Sequence, residues 1–281
     1  MKKILKAVAL IACAAMVLSM FASCSTADAV KVIDIKLTDE EYAFGVDKNQ
    51  PDLLEKANAF IKKIMENGKF DEICEKYFGD GTPTPVVSAE LDTSKDQLVV
   101  ATNAAFEPFE YTKGNEYYGV DMEIAALFAE ELGLELVISN MDFNAVCLAV
   151  GQGSADIAMA GLTIKEDRKE HVAFTDPYYF ASQKLIVKAD DTTFDACKTA
   201  EDVEAILKGF DATTKIGYQN QTTGQFYILG DEDWGFDGFA TEGKGYANGS
   251  LAVNDMINGN INYVIIDEAP AEFIAKAVNG K

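Results

Sequence analysis

From Gln97 onward the chain alternates short, continuous apolar runs with stretches of helical period, and no other feature limits its fold as much. The runs are QLVVAT (97–102), ELVIS (135–139), ADIAMA (155–160), SQKLIVK (182–188), TKIGY (214–218) and NYVIID (262–267). Helix-period stretches at 121–132, 144–150, 201–207, 251–257 and 269–278 separate them. Strands that are apolar throughout, rather than at every second residue, must be buried on both faces. The expectation is therefore an α/β chain with parallel sheets covered by helices on each side. No internal repeat of fixed period is visible.

A smaller segment of the same kind comes first. KVIDI (31–35) and EYAFGV (41–46) read as strands. Two helices are expected to follow. In the first, behind Pro51, the residues Leu53, Leu54, Ala57, Phe60, Ile61, Ile64 and Met65 make a wide apolar stripe that must face a core. Residues 79–96, with two Pro, two Gly and no apolar period, read as a linker. Two short strands and two helices hold too little apolar surface to fold alone. This front segment is thus expected to complete a domain whose other parts come later.

The first residues carry Lys2, Lys3 and Lys6, then an apolar run from Ala7 to Ala22, and FASC ends at Cys24. That is the pattern of a secretory leader over 1–23. The chain holds 46 acidic against 24 basic side chains, a formal net charge of −22, and losing the leader makes it more acidic still. Nucleic acid and anionic membrane surfaces are excluded as partners. Cys74, Cys147 and Cys197 have no CxxC spacing and read as small buried hydrophobes, and nothing calls for a metal or a cofactor.

In open α/β sheets ligands sit beyond the carboxyl ends of the strands. Here those ends run into NAAFEPFEY, GLTIKEDR, QNQTTGQ and DEAPA. They offer Arg168, Thr163, Thr222 and Thr223 as donors, Asp267 as a carboxylate, and Phe106 and Phe143 as aromatic walls. This set suits a free amino acid: donors for its carboxylate, an anion for its ammonium, apolar faces for its side chain. Taken singly, the same residues have plainer readings. Arg168 could be a solvated charge, Asp267 a helix N-cap and the two Phe ordinary core. His171 reads as surface or packing.

TNAAFEPFEY, YYGVDMEIAALFAEELG, DFNAVCLAVGQGSADIAMAGLTIKEDRKEHVAFTDPYY, QNQTTG and IIDEAPA together resemble the bacterial extracellular solute-binding proteins of ABC importers, in their polar amino-acid branch. The likeness covers residues 97–281. It implies a type II periplasmic binding protein: two Rossmann-like α/β lobes, joined by two crossover strands, closing over one amino acid. It also implies roles. Arg168, Thr222 and Thr223 would bind the carboxylate, Gly161 (through its carbonyl) and Thr163 would serve the first lobe, Asp267 would bind the ammonium, and Phe106 and Phe143 would wall the side chain. FASC resembles a lipobox, which implies lipidation of Cys24 and an extracytoplasmic, membrane-anchored monomer serving an importer permease. A dehydratase of prephenate-like substrates or a ligand-presenting sensor on the same fold are the alternatives.

Two positions depart from the family pattern: Gln221 stands where Gly usually precedes the Thr pair, and Asn103 stands where an acid is common, which favours a neutral ligand. The order of segments departs as well. Residues 39–79 resemble the tail that usually ends such chains, yet here they come first. A circular permutation is therefore expected, with a leader over 1–23 and a tether over 24–30; the alternative is a domain swap in which the front segment completes a neighbouring molecule. One lobe would come from 31–41 with 186–281, and the other from 42–79 with 97–185, including the hinge strands SQKLIVK and EYAFGV. Residues 80–96 would link the family's usual ends.

Overall fold

A computed structural model describes residues 27–281; the leader, Cys24 with its lipidation, and the start of the tether lie outside the described residues. Two five-stranded sheets organise the chain. The first runs Val172–Phe174, Gly45–Asp47, Ile157–Ala158, Gln97–Thr102, Glu135–Asn140. The second runs Val30–Ile33, Gln183–Lys188, Tyr263–Asp267, Lys215–Gln219, Glu242–Tyr246.

The apolar runs alone suggest parallel sheets, but neither sheet is wholly parallel. Gln97–Thr102 is parallel to both its neighbours, and so is Lys215–Gln219. Gly45–Asp47 is antiparallel to both of its own, and Val30–Ile33, Gln183–Lys188 and Tyr263–Asp267 pair antiparallel in turn. The reason is connectivity. A parallel neighbour needs a crossover of a dozen or more residues, whereas these strands enter straight from the segments joining the sheets.

Those joining segments are Glu40–Tyr42 and Tyr179–Ala181, a two-stranded antiparallel ribbon. Gln183–Lys188 therefore lies inside the second sheet, and the crossing is made just before it. Residues 183–185 accordingly pair within the second lobe, not the first.

The continuous apolar runs are explained by two-sided burial. In Tyr263–Asp267, Ile265 packs with Leu185, Val203 and Ile216 on one face, while Val264 and Ile266 pack with Ile186, Val253 and Met256 on the other. In the first lobe the front helices Pro51–Glu66 and Lys69–Phe78 contribute Ala57, Phe60, Ile61, Ile64, Ile73 and Tyr77 to the cluster of Leu98, Val100, Ile124, Phe128 and Ile157. Phe60 meets Phe128 at 5.2 Å between ring centroids. Met65 does not join the stripe and stays 39% exposed.

Residues 80–96 run over the first lobe. Val86 exchanges backbone hydrogen bonds with Tyr117 at 2.8 and 2.9 Å and packs with Met122 and Ile138, while the Ala89 N–H donates to the Leu136 carbonyl at 2.8 Å. At the far end, the Asn279 side chain accepts from the Ala29 and Val30 N–H groups at 2.8 and 3.2 Å and donates to the Val30 carbonyl at 2.9 Å.

Several elements have no sequence signal of this kind. These are the hairpin strands Ala105–Phe106, Glu110–Lys113 and Glu116–Tyr118, the edge strand Glu242–Tyr246 and the helix Thr223–Leu229. No described helix is long and apolar enough to cross a membrane.

Candidate functional site

The carboxyl ends of Gln97–Thr102, Lys215–Gln219 and Tyr263–Asp267 meet at the seam between the lobes. Several contacts cross it. Gln219 Nε2 donates to Asn103 Oδ1 at 3.3 Å, the Thr163 and Thr223 hydroxyls lie 3.3 Å apart, and Arg168 Nη2 donates to the Gln221 carbonyl at 2.8 Å. The lobes are therefore closed on one another.

Arg168 stands on the short helix Glu166–Lys169 and is 9% exposed, which removes the reading of Arg168 as a solvated charge, although Glu166, Asp167, Lys169 and Glu170 around it are exposed. Its Nη1 donates to the Thr163 carbonyl at 2.6 Å, and its guanidinium lies 5.3 Å from the Phe143 ring centroid. Among the described residues it forms no ion pair with a carboxylate. A buried guanidinium bonded to neutral carbonyls keeps its charge available for an anion.

Asp267 ends the strand Tyr263–Asp267 and occupies the N-cap position of the helix Glu268–Val278, but its side chain makes no capping bond. It accepts a hydrogen bond from the Tyr42 hydroxyl instead. Burial first, then the charge of Glu40, push its carboxyl up to about 7, against the hydrogen bonds of Tyr42 and Gln183.

The Thr163 hydroxyl donates to Glu40 Oε2 at 2.9 Å. Thr222 is the N-cap residue of the helix Thr223–Leu229, and its hydroxyl donates to the Gln219 carbonyl at 2.9 Å; Thr222 and Thr223 are both buried. Gln221 adopts φ 63°, the left-handed region that a Gly would enter without strain. The Gln221 carbonyl reaches Arg168.

Gly161 sits at φ 53°, and a Cβ there would stand 2.9 Å from Phe106 Cε1 and 3.3 Å from Tyr42 Cε2. The glycine gives the Phe106 ring its place, while its N–H donates to Asp121 Oδ2 at 2.9 Å. Phe106 is buried and stacks on Phe109 at 6.1 Å. Phe143 is set against Arg168 and lines a side cavity of about 210 Å³ with Cys147, His171 and Gln221. The Asn103 amide is engaged by the Met141 carbonyl at 2.7 Å as well as by Gln219.

The sequence reading missed Glu40, Tyr42, Gln183 and Gln219. Glu40 is 4% exposed and accepts from the Thr38 hydroxyl at 2.7 Å and Gln183 Nε2 at 2.9 Å, besides Thr163. Gln183 stands directly opposite Asp267 in the sheet. A lone Gln opening the apolar run QKLIVK was the available signal. Deeper in the first lobe, Glu110 is wholly buried with neither carboxylate oxygen partnered, and burial pushes it well above the usual carboxylate range. The seam thus sets a guanidinium and hydroxyls beside buried carboxylates, a polarity that matches a small zwitterion.

Known proteins are similar to this chain in sequence or in fold. The chain is 34% identical over 99 residues to the "Arginine-binding extracellular protein ArtP" of Bacillus subtilis, covering 35% of this chain and 39% of that protein. It is 28% identical over 176 residues to the "Arginine-binding periplasmic protein" of Mannheimia haemolytica, covering 62% and 65%. It therefore spans less than two thirds of the length of either relative. Among solved structures, an ancestral amino acid-binding protein, AncCDT-1, described as a precursor of cyclohexadienyl dehydratase, superposes with a TM-score of 0.55. Its identity is 28%, and the likeness covers 65% of this chain and 74% of that one. With residues 98–273, more than half its length, matching that family, the chain belongs to the bacterial extracellular solute-binding proteins, family 3.

Proposed function

We propose that this chain is an extracytoplasmic receptor, lipid-anchored through Cys24, that closes its lobes over one free amino acid and delivers it to an ABC importer. The observation that carries this reading is the presence of a buried guanidinium and a buried carboxyl, each without a counter-charge from the other, at one seam. Arg168 lacks a carboxylate, and Asp267 has only hydroxyl and amide donors. A ligand bearing both a carboxylate and an ammonium meets both needs, each charge-assisted bond contributing about 1.5–3 kcal/mol. The names of the two curated relatives, both arginine-binding, support the ligand class. On this reading the chain turns nothing over and acts as a monomer.

The reading is tested by a thermal-shift panel of the common amino acids. A ligand at 100 times its Kd adds about 2.7 kcal/mol to stability, so one or a few members should raise the melting temperature by several degrees. A flat panel would remove the receptor reading.

The chain is also, on this proposal, a circularly permuted member of its family. The family match begins at residue 98, yet the preceding segment supplies an edge strand to the second sheet and a strand and two helices to the first lobe. Asn279 already bonds to Ala29 and Val30, so residues 279 and 29 lie side by side. Surface ends of this kind tolerate rejoining. A reordered chain, residues 96–281 followed directly by 31–79, should fold as a monomer with unchanged affinity. If only the natural order folds and binds, the permutation is wrong.

A further inference from the structure

Lys165 has no part in the amino-acid chemistry proposed above, yet it is among the most buried lysines of the fold. It lies between Thr163 and Arg168 on the first lobe, with its side chain 4% exposed. Its ammonium reaches across the seam to Asp231 at 3.1 Å and Asp233 at 4.0 Å, and rests 4.5 Å above the Phe226 ring, all three on the second lobe. On its own lobe it meets Asp167 at 3.0 Å. Burial alone would lower its pKa, but the hydrogen bonds and charges of Asp167 and Asp231 outweigh it and hold the ammonium above the ordinary lysine range.

This cluster exists only while the lobes touch. When they part, Asp231, Asp233 and Phe226 leave together, and Lys165 keeps Asp167 alone. Without the ammonium, closure would instead bring Asp167 toward Asp231 and Asp233 with nothing between like charges. The closed form therefore depends on Lys165 in sign as well as in size.

We propose that Lys165 is a positioning residue, a latch that holds the closed form and so sets how long a bound ligand stays, without touching it. This rests on the reading that the lobes open and close around a ligand. The molecule carries its own reporter. Trp234, the single tryptophan, follows Asp233 on the same loop and lines a cleft of about 610 Å³ with Lys165, Glu40 and Phe180.

The test uses the whole chain with Lys165→Met, Lys165→Arg, Asp231→Asn and the swap Lys165→Asp with Asp231→Lys. Without ligand, small-angle scattering should show Lys165→Met and Asp231→Asn more extended than wild type, with Lys165→Arg and the swap returning toward it. With L-arginine and L-glutamine as probes, Trp234 fluorescence in stopped flow should show release about tenfold faster in Lys165→Met, and association changed much less. Rescue by the swap separates a latch from a general loss of packing. Should Lys165→Met fail to fold, Asp231→Asn reads the same pair from the other lobe. Identical scattering and identical release in wild type and the single variants would overturn the latch. If neither probe binds but the scattering differs as stated, the latch stands and the receptor reading needs another ligand.

Discussion

Replacing Asp267 or Arg168 with Ala is expected to weaken amino-acid binding by at least about 100-fold, with the fold retained. Removing one partner of a buried charge pair costs roughly 3–5 kcal/mol, because the ligand's charge is then buried without its counter-charge. The unliganded protein loses much less. Asp267 has its carboxyl pushed up to about 7 by burial and by Glu40, so its ionised form is a burden on the free protein, and its removal forfeits mainly the Tyr42 bond. Arg168 gives up two bonds to carbonyls, at 2.6 and 2.8 Å. Arg168→Lys should bind nearly as poorly as Arg168→Ala, because a point charge on a flexible stem does not replace a planar fork. Titration calorimetry gives the affinity and circular dichroism the fold. Unchanged affinity in folded Asp267→Ala would sink the assignment of that residue.

What could be read from the residues alone follows from where the physics is local. Two-sided burial leaves a mark on each strand separately, so Tyr263–Asp267 and Gln97–Thr102 were evident as apolar runs. Glu242–Tyr246 was not, since EGKGY has two glycines and sits at the sheet edge, where neither face demands a regular pattern. Strand direction was not local either. The antiparallel pairing of Val30–Ile33 with Gln183–Lys188 depends on a path of more than 150 residues between partners.

The candidate site divides the same way. Arg168, Thr163 and Asp267 stood out because strand ends gather ligands. Glu40 looked like one of many surface acids in a chain of net charge −22, and only its bonds to Thr163 and Gln183, 123 and 143 positions away, make it part of the seam. Gln221 is the reverse case. The departure from Gly is plain in the sequence, whereas the left-handed conformation the residue takes, φ 63°, is not.

Affinity is expected to fall as the pH falls through about 7, while the stability contributed by the same carboxylate moves the opposite way. Asp267 sits at about 7 in the closed, ligand-free form, raised from 3.8, chiefly by burial and then by Glu40. Asp121 is likewise raised from 3.8 to about 7 by burial, against the hydrogen bonds of the Gly161 N–H and the Tyr178 hydroxyl. A carboxyl whose folded pKa exceeds its unfolded value binds its proton more tightly when folded. Its contribution to stability is therefore complete below about pH 4 and is lost as the pH rises through about 7. The ligand's ammonium needs the ionised form, so below that range each binding event must expel a proton from Asp267. Affinity should then drop up to about tenfold per pH unit well below 7, or about 50-fold between pH 7 and pH 5. The free protein should melt at a higher temperature at pH 5 than at pH 8 as far as these two groups decide it, and the ligand-induced rise in melting temperature should be smaller at pH 5. Calorimetry at pH 6 in two buffers of different ionisation enthalpy should register close to one proton released per ligand bound. Equal affinity at pH 5 and pH 8, with no proton released, would mean that the ammonium rests on some group other than Asp267.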